Sequence, residues 1–235
     1  MHNKRLEKLR ELMSEKRLDS LVISDLSNIF YISGFSGSAA VVVVTGDKCQ
    51  ILVDPRYTLQ AASQCPEAVV VEYRGKSQMQ ALGELISETR TGVTGYESDY
   101  MSVASLRCLR KFSDSAIVLK SSSGLLQKLR MIKDDFEISL IKEAAKITDA
   151  AVNHIFGFIK PGITEKDIEI ELLTVMRQLG AEKEAFDCIV AAGANAACPH
   201  ASPTDAVIQK DSFVKLDFGA RYKHYNADIT RTIAV

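Results

Sequence analysis

The sequence predicts a mixed α/β (α+β) fold built in two parts, and three observations carry that reading. In the first half, short apolar runs such as Leu21-Val22-Ile23 and Val41-Val42-Val43-Val44 alternate with amphipathic helical stretches, the pattern of a sheet buried beneath helices. A Ser-Ser-Ser-Gly step at residues 121–124 marks a change of style and a candidate boundary, dividing 1–123 from 124–235. The second half opens on two long helical patterns and closes on alternation of strand period.

Residues 3–17 read as an amphipathic helix, with Leu6, Leu9, Leu12 and Met13 as its apolar stripe. Residues 21–24 are a short buried strand. Residues 27–38, rich in aromatics and glycine, read as a connector. Residues 40–45 and 49–53 make a hairpin turning at Gly46-Asp47. A helix (56–63), a strand (69–72), a helix (79–89), a strand (93–97), a helix (102–112) and a strand (116–119) follow.

Beyond the serine step, residues 135–158 form one long helix. Ile141, Ala145, Thr148, Val152 and Ile155 recur along it, and Asp134 or Asp135 caps its start. His154 lies within it and reads as a packed or surface histidine. Pro161-Gly162 breaks the chain. Thr164 caps the next helix, with Asp167 three residues on in the manner of a capping box. Ile168, Leu172, Val175, Met176 and Leu179 make its stripe, and Gly180 stops it. Residues 186–191 are a strand. A loop of small residues (192–197) leads to Cys198-Pro199-His200.

The 235 residues are 46% hydrophobic, ample for a real core, and 29 basic against 30 acidic residues leave a net charge of −1. Nothing in that balance points to nucleic acid or an anionic membrane as a partner. No apolar run is long enough to span a bilayer, and the charged start is not a signal peptide. Five cysteines, odd in number and with no Cys-x-x-Cys pair, fit reduced thiols in a cytoplasm. Cys198 reads as a bystander thiol and His200, on residue type alone, as a loop histidine.

The last stretch, 213–232, organises the rest. Val214, Leu216 and Phe218 alternate with Lys215 and Asp217; Tyr225, Ala227 and Ile229 alternate with Asn226, Asp228 and Thr230. A hairpin turning about Tyr222-Lys223 places Asp217 directly opposite Asp228, where like charges repel. Three readings of that pair stand side by side: a shared proton, a divalent cation held by hard oxygen ligands, or two carboxylates facing water.

The ordered motifs resemble a known family. Ile189-Val190-Ala191-Ala192-Gly193, Pro199-His200, Lys215-Leu216-Asp217-Phe218-Gly219-Ala220 and Tyr225-Asn226-Ala227-Asp228-Ile229-Thr230-Arg231-Thr232 resemble the pita-bread metallopeptidases, and within them the Xaa-Pro aminopeptidases and Xaa-Pro dipeptidases (prolidases). Asn28 with Tyr31-Ile32-Ser33-Gly34-Phe35-Ser36-Gly37-Ser38, Val53-Asp54-Pro55-Arg56-Tyr57, and Leu129-Arg130-Met131-Ile132-Lys133 resemble the creatinase-type N-terminal domain and the entry to the catalytic domain. The resemblance implies a creatinase-like α/β domain over 1–123 and the first half of a pita-bread domain over 124–235.

It also implies a site. Asp217 matches the first metal carboxylate and Asp228 the one that bridges two metals. His200 matches the histidine beside the scissile bond, and Thr230, two residues beyond Asp228, takes a supporting place next to the ligands. The implied chemistry is hydrolysis of the Xaa-Pro bond of proline-containing peptides, assisted by two divalent metal ions, manganese or cobalt. The implied setting is a cytoplasmic homodimer, with Arg56 and Tyr57 as interface or helix-start residues.

The family supplies one more His and two more Glu after the second Asp. Here no His or Glu follows Glu184 except His200 and His224. The expectation is the N-terminal portion of a longer enzyme, or a truncated product, with negligible peptidase activity by itself. The alternative is a non-catalytic interaction or dimerisation module of the same family. A metal-free amidinohydrolase of the creatinase type is disfavoured by the retained pair Asp217 and Asp228, and a methionine aminopeptidase by the N-terminal domain.

Overall fold

A computed structural model of the chain describes residues 2–89 and 92–235. The chain forms two compact units, Met1–Ile132 and Lys133–Val235.

The first unit contains α1 (His2–Glu15), β1 (Ser20–Ile23), α2 (Leu26–Ser33), β2 (Val41–Thr45), β3 (Cys49–Val53), α3 (Thr58–Gln64), β4 (Val69–Glu72), α4 (Gln78–Glu88), β5 (Val93–Glu97), α5 (Val103–Phe112), β6 (Val118–Ser122) and α6 (Leu125–Met131). Its strands form one sheet in the order β4-β3-β2-β1-β5-β6. The β1/β2 and β2/β3 pairs are antiparallel and the others parallel. Both faces are covered, which is why β2 is apolar at every turn of the pleat. Val42, Val44, Ile51 and Val53 join Leu6, Leu9, Ile29, Ile32 and Leu126 on one side. Val41, Val43 and Leu52 join Leu82, Ile86 and Leu109 on the other. Each such side chain contributes about 1.5–3 kcal/mol by leaving water.

The expected connector at 27–38 is largely a helix, α2. Its aromatic and β-branched residues are weak helix formers, but the ends are specified. The Asp25 side chain accepts from the Asn28 N–H at 2.9 Å, and Gly34 closes the helix in the left-handed region at φ 82°. Burial of Ile29 and Ile32 supplies the rest. β6 also runs later than expected, with Ser121 and Ser122 paired to Tyr96 and Glu97. α6, which follows the serine run, packs Leu125 and Leu126 into the first unit's core.

The second unit contains α7 (Asp135–Phe158), α8 (Glu165–Gln178), β7 (Lys183–Glu184), β8 (Ile189–Ala192), β9 (Phe213–Phe218), β10 (Ala220–Tyr222), β11 (Tyr225–Asn226) and β12 (Ile229–Ala234). Asp134 caps α7 and Thr164 caps α8, each in a reciprocal capping box, with Glu137 and Asp167 as the third-position partners. The strands form two three-stranded antiparallel sheets, β11-β10-β7 and β12-β9-β8. Val190, Val214, Leu216 and Phe218 pack with Ile155, Ile168, Leu172 and Met176 of the helices. Leu179, expected in the α8 stripe, is exposed at the helix end. The expected strand at 186–191 begins only at Ile189.

Candidate active site

The site is built on a bent hairpin. β9 runs into β10, and β11 into β12, with the break at Gly219 on one side and Ala227-Asp228 on the other. A Cβ on Gly219 would lie 1.8 Å from the Ala227 carbonyl oxygen, so only glycine lets the two backbones pass this closely. The turn itself is Lys223-His224, both at positive φ (45° and 69°), with Tyr222 facing Tyr225. That is the pattern of a type I′ turn.

This corrects the expected register. The turn lies one residue later than Tyr222-Lys223, so every pairing moves by two. Asp217 faces Thr230, not Asp228. Because a strand repeats every two residues, a shift of two keeps the face. Asp217 and Asp228 become diagonal neighbours across the bend, ladder positions that lie about 7–8 Å apart in a regular sheet. The direct clash of charges is thereby relieved. Asp217 is half-buried, while Asp228, Thr230 and His200 are exposed.

His200 lies on the loop between β8 and β9. The loop starts as a short 3-10 turn, Gly193–Ala197, where the sequence showed only small residues. Lys215 brings this loop to the candidate carboxylates: its Nζ donates to the Cys198 carbonyl at 2.6 Å and the Pro199 carbonyl at 3.3 Å. Lys215 and Asp217 are two apart on β9 and so share a face. The loop is therefore tied, one residue before His200, to the strand face that carries Asp217. In the sequence Lys215 stands as the polar position of an alternating strand and as the first residue of a family motif, with no role assigned to it.

A second residue missed by sequence reasoning is Glu165, at the start of α8. It accepts from the backbone N–H groups of Ala192 and Thr204, on either side of His200. In the sequence it stands beside the capping Thr164, and nothing local marks it.

Nearby groups fix the state of two other side chains. Burial, followed by the charges of Glu169, Glu184, Asp187 and Asp217, pushes the Cys188 thiol up to about 12, so it stays protonated and inert. His154 is partly exposed and pairs with Glu171 at 2.5 Å, a surface contact. All five cysteines are free thiols.

The residues fit a divalent cation in part. Asp217 and Asp228 are hard oxygen donors of the right type, but among the described residues no group of three or more His, Cys, Asp or Glu is placed to hold a metal ion.

Comparison with known proteins shows the family and the fold. Residues 5–132 match the creatinase/prolidase N-terminal domain and residues 139–235 match metallopeptidase family M24. The chain belongs to the family that joins these two domains, and its fold is a creatinase-like α/β domain followed by part of a pita-bread domain. It is 39% identical over 232 residues to the uncharacterized peptidase YqhT of Bacillus subtilis, a match spanning 98% of this chain and 65% of that protein. It is 33% identical to an Xaa-Pro dipeptidase of Pyrococcus furiosus, spanning 98% and 64%. The solved Xaa-Pro dipeptidase from Bacillus anthracis superposes with a TM-score of 0.95 at 36% identity, covering 100% of this chain and 65% of that one. The chain thus spans about two thirds of the length of these relatives. Among the described residues, no helix is long and apolar enough to cross a membrane.

Proposed function

We propose that this chain carries part of the active site of a metallopeptidase that hydrolyses the Xaa-Pro bond of proline-containing peptides. Asp217 and Asp228 are two ligands of a pair of divalent cations, manganese or cobalt. His200 is the residue beside the reacting carbonyl, and Thr230 supports Asp217 from the facing strand. The observation that carries the reading is the Lys215 tie, which holds the His200 loop to the Asp217 face. When bound, the cations supply an activated water and polarise the carbonyl. The protein's own part is positional: the bend at Gly219 presents Asp228, and Lys215 presents His200, whose exposed ring is available to a substrate carbonyl. The five free thiols support a cytoplasmic setting.

Two carboxylates are too few to close a two-metal site. The 235-residue chain is therefore expected to bind Mn²⁺ weakly and to hydrolyse Xaa-Pro peptides negligibly. An Mn²⁺ titration followed by electron paramagnetic resonance, beside an Asp228→Ala control, tests the ligands. Binding that the control loses supports the reading; equal binding by both overturns it. Robust Mn²⁺-dependent hydrolysis by the chain alone would overturn the expected inactivity.

A second reading is favoured by one feature of the first unit. Leu59 on α3 is 86% exposed, beside Arg56, which forms an ion pair with Asp54 at 2.8 Å. Such a patch suits a dimer contact, and a homodimer in light scattering that Leu59→Glu dissociates would support it.

A further inference from the structure

Glu165 is the first residue of α8 and 0% exposed. A buried carboxylate is costly unless donors surround it, and this one has five hydrogen bonds. Oε1 accepts from the Ala192 N–H at 2.7 Å and the Asn195 side-chain amide at 3.1 Å. Oε2 accepts from the same amide at 3.0 Å, the Thr204 N–H at 2.8 Å and the Thr204 hydroxyl at 2.6 Å. All five come from the 192–204 loop and none from α8. The helix has no need of them, since Thr164 caps it and Asp167 completes the capping box. Burial pushes the Glu165 carboxyl up, but these donors outweigh it and hold the group below its ordinary range.

The chain beyond Thr204 is fastened to the same place. The Glu165 N–H donates to the Ala206 carbonyl at 3.1 Å, and the Ile208 N–H to the Ile163 carbonyl at 2.8 Å. Both ends of the loop are thus fixed at the start of α8, while Lys215 grips its middle from the strand. His200 is the one titratable side chain between Ala192 and Thr204 apart from Cys198.

We propose that Glu165 is a positioning residue: it clamps the two ends of the 192–204 loop, so that His200 is held on the side of the sheet that carries Asp217. The proposal rests on the reading of His200 given above. Charged hydrogen bonds of this kind are short and strong, and two clamps on one loop leave its middle little freedom. A group that only stabilised α8 would have no reason to send every acceptor to a segment 27 to 39 residues away.

The test is amide hydrogen exchange on the intact chain, with the His200 ring followed by NMR and assigned with His200→Gln. The reporter is the Cys198 N–H, which donates to the Asn195 carbonyl at 3.0 Å and does not touch Glu165. In Glu165→Gln the Cys198 and Thr204 amides should exchange roughly tenfold faster or more. The α8 amides and those of β8–β9 other than Ala192, which itself donates to Glu165, should be unchanged, and the His200 ring signal should broaden or split. Uniform acceleration across the second unit, or an unchanged Cys198 amide, overturns the proposal.

Lys215→Met guards against a variant that fails to fold. It should loosen Cys198 and His200 while Ala192 and Thr204 stay protected; loss of protection at those two as well overturns the clamp. None of these measurements needs a metal. Mn²⁺-induced broadening of the His200 ring reports the functional reading separately. Selective loosening without that broadening keeps the clamp and removes the metal reading; broadening without loosening does the reverse.

Discussion

Glu97 and Glu165 are both buried carboxylates that collect loop N–H groups, one in each unit, yet they titrate in opposite directions. Glu97, 6% exposed at the end of β5, accepts from the Ser24 N–H at 2.7 Å, the Asp25 N–H at 2.8 Å and the Asn28 side-chain amide at 2.6 Å. Burial comes first among its influences, and with the Asp25 charge it holds the carboxyl above the ordinary 4.5. Glu165 has five hydrogen bonds against four at Glu97, the fourth there being a long 3.5 Å contact from the Ser24 hydroxyl. No acidic neighbour opposes them at Glu165, and the group lies below 4.5. The difference shows what each unit asks of its carboxylate. In the first unit the group, at the end of a sheet strand, is enclosed with the start of α2. In the second it fastens a loop to the start of α8, beside a sheet that carries Lys215, Asp217, Thr230 and Thr232 on one face.

The largest expected effect comes from removing these acceptors. Glu165→Ala should cost about 3 kcal/mol, since it strands several buried donors. Glu97→Ala should cost about 1–2 kcal/mol, because the charge it removes is disfavoured by burial and by Asp25. Urea unfolding with a probe in each unit measures both. Equal losses would break the contrast.

The two hairpins sharpen the comparison next. Gly46, in the β2–β3 turn, has open space where a Cβ would go, while Gly219 meets the Ala227 carbonyl. Gly219→Ala should therefore cost about 2–3 kcal/mol by forcing backbone apart. Gly46→Ala should be neutral or stabilise by up to about 1 kcal/mol. A Gly219→Ala protein of unchanged melting temperature would mean that the bend is not as close as described.

Titration separates the units at a smaller scale. Glu165 has a lowered folded pKa, so its contribution is fully present above about 4.5 and is lost as pH falls through the folded value. Glu97 has a raised one, so its contribution is present below 4.5 and is lost as pH rises through its folded value. Acidification through this window should weaken protection in the 192–204 loop while leaving the Ser24 and Asp25 amides as protected or more so. Exchange at several pH values between 3 and 6, corrected for intrinsic rates, reads this.

What could be read in the sequence follows from how local each signal is. The β2–β3 hairpin was legible because Gly46-Asp47 marks its turn and apolar runs flank it. The capping of α8 was legible because Thr164 and Asp167 are three residues apart. α2 was hidden: its residues favour strand, and what makes it helical is burial against α1 and α6, which no local window contains. The second hairpin was shifted because Lys223 and His224 adopt positive φ without the Asn-Gly signature that normally announces it. The family motifs drew attention to Asp217, Asp228 and His200, but the groups that hold His200 in place were not visible. Lys215 looks like any polar strand residue, and the partners of Glu165 lie beyond the helix it begins.

The smallest effect tests whether the outer face of β9 and β12 is open at all. Thr230 faces Asp217 and is exposed. Its hydroxyl has no core role, so Thr230→Ala should change stability by less than about 0.5 kcal/mol. The same substitution should weaken Mn²⁺ binding if Thr230 supports Asp217, since partners beside a ligand tune its affinity by about tenfold or more. A stability loss above about 1 kcal/mol would mean that this face is packed rather than presented, and the contrast with the enclosed sheet of the first unit would fall with it. Unchanged stability with unchanged Mn²⁺ affinity would leave the face open but remove Thr230 from the proposed site, because an exposed hydroxyl opposite a ligand has no other means of acting on the metal than through Asp217.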